Sequence, residues 1–225
     1  MRKFLVTVLL LLAGCVAPPQ VPPATTPAAP PPVTGPSEAW DVVESRLEVR
    51  VYRDGPMAQL GHDHLITSTA LTGRIDLRDP RTASSFHLEL PLESLVVDDE
   101  AARKSAGGEF AAPVPAKDRE GTRRNMLGEH VLDIARQAVV GLTADGISGG
   151  PENFTARVRV RLRGEERVVD VPVTLAIDGG SLHMHANLRL HHADLGLTPF
   201  MVGLGALRVR DDIEIDCRLE ARRAT

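Results

Sequence analysis

The chain has 225 residues, a formal net charge of -4, and only seven aromatic side chains: five Phe, one Tyr and one Trp. Nucleic-acid binding wants a basic face and stacking aromatics, so this composition, which contains no basic block, argues against a nucleic-acid partner. Cys217 is the only cysteine besides Cys15, so no intramolecular disulfide is expected if Cys15 is itself modified.

Arg2 and Lys3 open the chain, and an apolar run from Phe4 to Leu12, interrupted only by Thr7, leads into Ala13 and Gly14. A charged start, a short apolar core and small residues at the cut make up a secretory signal. The run is too short for a stable transmembrane helix, which takes about 20 apolar residues. Leu12-Ala13-Gly14-Cys15 resembles the lipobox of bacterial lipoproteins, in which the cysteine is acylated and becomes the mature N-terminus. Residue 16 is Val rather than the Asp that resembles an inner-membrane retention signal. The resemblance therefore implies an outer-membrane lipoprotein facing the periplasm, with residues 1–15 as signal and Cys15 as the lipidated residue.

Residues 16–39 read as a linker. Val16 to Pro36 is dominated by Pro, Ala and Thr without apolar periodicity. Such a stretch cannot build a core, and at about 3.1 Å per residue it reaches on the order of 60 Å. Residues 40–222 remain as one domain with room for a real core.

Within that domain, period-2 alternation dominates. Leu47, Val49 and Val51 alternate with Arg46, Glu48 and Arg50, and Leu71, Gly73, Ile75 and Leu77 alternate with Thr72, Arg74 and Asp76. Phe86, Leu88 and Leu90 repeat the pattern. Next, Asp98 to Arg119 reads as a long charged loop rich in Ala, Gly and Pro. Met126, Leu127, His130, Val131 and Ile134 have helical spacing, which predicts a short amphipathic helix over Thr122 to Arg136 that could plug one end of a barrel. Alternation resumes with Val158, Val160 and Leu162 against Arg157, Arg159, Arg161 and Arg163, then Val169 to Ile177, Leu182 to Leu190 and Val209 to Leu219. Several short strands at this spacing predict an all-β sandwich or closed barrel. A lipid-embedded barrel needs an apolar outer band, so one apolar and one charged side per strand put the apolar side inside a soluble domain. Cys217 alternates with Ile215 and Leu219 and reads as a small buried hydrophobe.

Two His-x-His pairs, His62/His64 and His183/His185, raise the question of a metal, since two imidazoles on one strand face begin several metal sites. His183 and His185 lie opposite Leu182, Met184 and Ala186 and so face solvent. His62 and His64 share parity with Leu60 and Ile66 and read as polar groups at a pocket mouth rather than as ligands. No nucleophile elbow, zinc-protease motif or phosphate-cradling loop occurs. The reading is a non-enzyme with no catalytic or metal-ligating residues and no cofactor.

The ordered motifs resemble the YceI-like family, secreted polyisoprenoid-binding proteins with a lipocalin-like antiparallel barrel. The resemblance runs from Ser45-Arg46-Leu47-Glu48-Val49 through Leu71 to Leu77, Ser85 to Asp98, Met126 to Asp133 and Arg161 to Val173. It continues in Asp194-Leu195-Gly196-Leu197-Thr198-Pro199-Phe200 and Gly205 to Asp211. It implies an antiparallel lipocalin-like barrel with one short helix and a long loop. It also implies an isoprenoid-type ligand, a polyprenol or quinone, in an apolar interior. Val49, Ile75, Leu77, Met126, Leu127, Val158, Val160, Leu188 and Phe200 are the candidate wall, with His62 and His64 as polar groups at the mouth. The alternatives are a metal-binding periplasmic protein using the His pairs, or a partner-binding lipoprotein whose barrel is filled by its own side chains. If Cys15 carries the membrane anchor, Cys15→Ala should move the protein from the membrane fraction to the soluble one. Unchanged fractionation would contradict the lipobox reading.

Overall fold

Each period-2 stretch becomes an antiparallel strand. The computed structural model describes residues 37–225, so the signal, Cys15 and residues 16–36 of the linker lie outside the described residues. In chain order the strands are β1 (Glu38–Asp54), β2 (His64–Ser68), β3 (Thr72–Leu77), β4 (Ser85–Pro91) and β5 (Val96–Val97). They continue with β6 (Val139–Gly149), β7 (Asn153–Leu162), β8 (Glu165–Asp178), β9 (Ser181–His191), β10 (Met201–Val202) and β11 (Leu207–Arg223). Two helices, α1 (Glu100–Ala106) and α2 (Ala116–Leu127), lie between β5 and β6. β1 starts two residues before the expected domain boundary at 40, so Glu38 and Ala39 belong to the barrel rather than to the linker.

The sheet closes on itself. Its order is β11-β9-β8-β7-β6-β4-β3-β1, and β1 pairs with β11 from Trp40↔Arg223 to Asp54↔Arg208. These eight strands form the antiparallel barrel, and closure removes the exposed edges that an open sheet leaves. β1 is long enough to pair with two strands on one side, β3 near its start and β2 near its end. A bulge between Val42 and Glu44 rotates Val43 outward, where it is exposed.

The two ends of the barrel differ. At the end where β1 begins, Trp40, Ile75, Leu77, Phe154, Leu182 and Ala221 are all buried and plug the interior. Arg223 stacks over the Trp40 ring at 5.1 Å and seals that end. The other end carries the strand starts and ends around residues 54–64, 91–97, 162–165 and 191–207, and there the helices sit.

Two expectations are corrected in this region. Asp98–Arg119, expected as a loop, holds α1 and the first part of α2. Asp99 caps α1 by accepting from the Ala102 N–H at 2.9 Å, and Gly107, at φ 67°, ends it. The predicted helix over Thr122–Arg136 lies further upstream, beginning after Pro115 and stopping at Gly128. Lys117, Asp118, Arg119 and Glu120 are adequate helix formers but show no apolar period, and only Leu127 of α2 is buried. The apolar spacing after Leu127 belongs instead to tight turns. Leu132 N donates to Met126 O at 3.0 Å and Ile134 N to Leu127 O at 3.1 Å. The described residues thus hold two α-helices where one was expected.

Gly73 explains a break in the pattern of β3. Its φ is +139°, and a Cβ there would lie 2.1 Å from the His87 carbonyl oxygen and 2.8 Å from the Leu88 Cα of the paired strand. Only glycine permits strands to approach this closely. Gly73→Ala should lower stability by about 2 kcal/mol or more in urea unfolding, beyond an ordinary strand substitution. A loss below about 0.5 kcal/mol would contradict the close approach.

Candidate functional site

The inner face of the barrel is not uniformly filled. Along β9, Leu182 and Met184 are buried, while Ala186, Leu188 and Leu190, further along the same face, are only partly so. In β11, Leu219 and Ala221 are buried while Ile215 and Cys217 are half-buried, and Leu47, Val49 and Val51 of β1 behave alike. These side chains point inward yet remain accessible because a cavity of about 740 Å³ occupies that half of the barrel. Phe86, Leu88, Met184 and Leu219 line its deep part, and Val158, Val160, Leu162, Val169 and Val171 form the far wall. Toward the helical end, Leu195, Leu197, Phe200, Met126, Val131 and Leu132 continue the apolar lining. The cavity then reaches the surface between exposed Lys117, Asp118 and Arg124 of α2 and exposed Arg208.

Of the expected wall residues, Val49, Met126, Val158, Val160, Leu188 and Phe200 line this cavity. Ile75 and Leu77 do not, because they belong to the plug at the opposite end, and Leu127 packs into the core beneath α2 rather than facing the void. Parity placed Ile75 and Leu77 on the inner side correctly but carries no information about depth, and helical spacing likewise turned Leu127 inward without saying what it meets. His62 and His64 both border the mouth. Their neighbour Leu60, which shares their parity, is exposed instead, because it lies in a short 3-10 turn. His183 is exposed, and His185 is held by Asp216 at 2.8 Å.

The cap over the mouth is held by a buried polar cluster. Asp98 is fully buried and sits at φ 55°. Its Oδ1 accepts from Leu65 N at 2.9 Å and from Arg103 Nη1 at 2.6 Å, and its Oδ2 accepts from His64 Nδ1 at 2.6 Å. An ionised carboxylate only accepts, so the His64 Nδ1 carries the proton. His64 Nε2 is left to meet Thr122 Oγ1 of α2 at 3.4 Å. Burial alone would push the Asp98 pKa up, but the hydrogen bonds from His64, Leu65 and Arg103 outweigh it and hold the carboxyl below the usual range.

Arg103 is the second buried charge. Besides Asp98 it donates to Asp63 O at 2.7 Å and, through Nε and Nη2, to Ala112 O at 3.1 and 3.0 Å. Its guanidinium lies 5.6 Å from the Phe110 ring centre. The cluster ties α1, the turn at 108–110 and β2 into one unit. α2 is fixed by Arg123, which donates to Glu93 O at 2.9 Å, and by His62, whose Nε2 lies 3.6 Å from Asp118 Oδ2. Neither Asp98 nor Arg103 was singled out from the sequence. A run such as Asp98-Asp99-Glu100 reads as a solvated surface, and the one signal was that Asp98 ends the family-like stretch from Ser85.

Two titratable groups on the wall, Tyr52 and Cys217, are held neutral. Burial, and then the hydrogen bond to Glu214, push the Tyr52 phenol up to about 12, so it stays a donor. Burial pushes the Cys217 thiol up to about 11, which removes thiolate reactivity at neutral pH. Among the described residues, no three His, Cys, Asp or Glu side chains group to hold a metal ion.

No protein-family model and no curated protein matches the sequence. Solved structures do match the fold. Burkholderia cenocepacia BcnA is similar with a TM-score of 0.57 at 13% identity, covering 80% of this chain and 96% of that one. A variant of the Campylobacter jejuni YCEI protein is similar with a TM-score of 0.50 at 8% identity, covering 69% and 82%. The lipocalin-like antiparallel barrel expected from the YceI-like motifs is therefore the fold of this chain.

Asp98→Asn would leave Arg103 buried without a compensating charge, and should cost about 3–5 kcal/mol of stability at neutral pH by urea unfolding. The Asp98 pKa is depressed by folding. Its contribution is therefore complete above the unfolded value of about 3.9 and is lost as pH falls through the lower folded value. The parent's stability should fall over that acid window, and the Asn variant's should fall less steeply. Equal acid limbs in both proteins would contradict a native-state carboxylate at this position.

Proposed function

We propose that this chain is a lipid-binding member of the YceI-like group, holding the tail of an isoprenoid-type molecule, a polyprenol or quinone, inside the barrel. The observation that carries the reading is the hollow half of the barrel, walled by aliphatic side chains and open beside α2. Its volume falls within the about 300–1,000 Å³ of small-molecule sites. At about 30 Å³ per heavy atom, the space a water takes in the liquid, it accepts on the order of 25 atoms, or about five isoprene units. A longer tail would leave through the mouth. Each buried CH2 contributes about 0.8 kcal/mol, so a tail of that size supplies ample driving force without directional contacts.

The wall suits an aliphatic chain in another way. Val, Leu, Ile and Met make it up, with Phe86 and Phe200 as its only two Phe side chains, and a flexible branched tail packs against such methyl-rich surfaces by dispersion alone. His62 stands at the mouth, where a head group would lie, whereas His64 is committed to Asp98. The activity is binding or carrying rather than catalysis. The buried acid, base and thiol near the cavity are engaged in structural hydrogen bonds or held neutral. The lipobox-like segment supports anchoring at Cys15 on the outer membrane, with the barrel on the periplasmic side.

Leu188 is the position that tests this. It faces the void and is only partly buried, so Leu188→Glu leaves its carboxylate hydrated in an empty barrel but stranded against a bound tail. Native mass spectrometry of the parent should show one isoprenoid adduct, or uptake of an offered quinone or polyprenol. The variant, with unchanged near-UV dichroism, should bind at least about tenfold more weakly. A parent that carries no lipid and takes up none when offered would overturn the reading.

A further inference from the structure

Beside the mouth, the molecule exposes apolar side chains that its own core does not use. Met57 and Leu60 lie on the loop between β1 and β2, and Met201, Val202 and Leu204 on the segment before β11; all are exposed. The two segments are joined by a hydrogen bond from Met57 N to Ala206 O at 2.8 Å. Both border the cavity, since Gly61, His62, Phe200, Val202 and Leu207 line it. Scattered surface leucines need no explanation, but several together beside an apolar cavity do.

Leu204 is the tip of this patch. Its relative accessibility is 107%, so it gains nothing from packing in the free molecule. It nevertheless adopts φ 55°, ψ 34°, between Gly203 at φ 58° and Gly205 at φ 85°. A leucine in the left-handed region costs energy that a glycine would not, so the fold carries a strained, fully presented apolar side chain. Across the opening, α2 contributes Lys117 and Arg124, seven positions apart and both exposed. Neither forms an ion pair with any described residue.

We propose that this rim is a docking tip for an anionic lipid bilayer, through which an apolar ligand passes between membrane and cavity without crossing water. The proposal rests on the lipid-binding reading above. Apolar tip residues next to unpaired cations are the pairing that inserts into acyl chains while meeting anionic head groups. The cavity opens at the same place, so a docked tip joins it to the hydrocarbon region. The chain enters β1 at the opposite, plugged end, yet this does not prevent docking. β1 has 17 residues; at about 3.3 Å each and a tilt of about 40° it rises about 43 Å. A linker of the length expected from the sequence, at about 3.1 Å per residue if extended, would exceed that height.

The test uses the full chain carrying Cys15→Ala, so that no acyl anchor delivers it to membranes. A naphthoquinone with a geranylgeranyl tail is offered either from ethanol or from phosphatidylethanolamine/phosphatidylglycerol vesicles. Loading is read as quenching of Trp40, the single tryptophan of the chain, at the closed end of the barrel. Leu204→Gly should load from ethanol like the parent and melt at the same or a higher temperature, because the left-handed strain is relieved. From vesicles it should load about tenfold more slowly. Raising salt should slow vesicle loading of the parent but not of the Lys117→Gln/Arg124→Gln pair. Equal vesicle rates for parent and Leu204→Gly, with both loading from ethanol, would overturn the docking tip and leave the carrier reading standing. A parent that loads from neither source would overturn the carrier reading itself.

Discussion

Asp98 is placed where the barrel and its cap must agree. Its carboxylate takes hydrogen bonds from the second strand through Leu65, from the mouth through His64 and from α1 through Arg103. Such a buried ion pair contributes little net stability compared with an apolar replacement, but it is costly to break. Its effect is therefore on geometry. Arg103 can be buried only if Asp98, Asp63 O and Ala112 O are all in place, and that condition fixes α1 and the chain leading into α2. The apolar contacts of α2 could not do this alone, since only Leu127 is buried. The mouth has a defined shape because a charge, not a greasy surface, holds its lid.

The cavity follows from where bulk is spent. With so few aromatics, the chain places Trp40 and Phe154 at the plugged end and Phe86 on the cavity's deep lining. Val, Leu and Ile line most of the other half, and they are too short to meet across a barrel of eight strands, whose interior side chains can either fill or leave room for one small ligand. An empty apolar space forfeits dispersion contacts that a tail would restore. The same composition that excluded base stacking thus also makes a hollow interior.

Much of this fold was legible in period-2 alternation. Parity alone put Val49, Val158, Val160 and Leu188 on the inner face, and the charged outer faces excluded a barrel embedded in lipid. Depth was not legible, because alternation says which side a residue faces and not how far along the barrel it stands. Ile75 and Leu77 consequently looked the same as Val49. The helices were misplaced for a related reason. α2 is held by polar side chains such as Thr122 and Arg123, which leave no apolar period, while the spaced apolar residues after Gly128 serve turns. The Asp98–Arg103 pair was hidden in a run of charges that looks solvated, and nothing local distinguishes a buried carboxylate from an exposed one.

Closure of the barrel between its first and last strands governs how such a chain can acquire structure. Tyr52 meets Glu214, 162 positions away, and Ala224 N reaches back to Ala39 O at 2.9 Å. Until the last strand has left the ribosome, β1 and β9 remain open edges and no seam can form. Contacts of such long range form slowly, since loop closure must precede any gain from burial. The adjacency of the barrel's own two ends, at Ala39 and Ala224, also means that joining them and cutting a hairpin such as Asp178–Ser181 would preserve every strand pairing, because the order of strands around the barrel does not depend on where the barrel's chain begins.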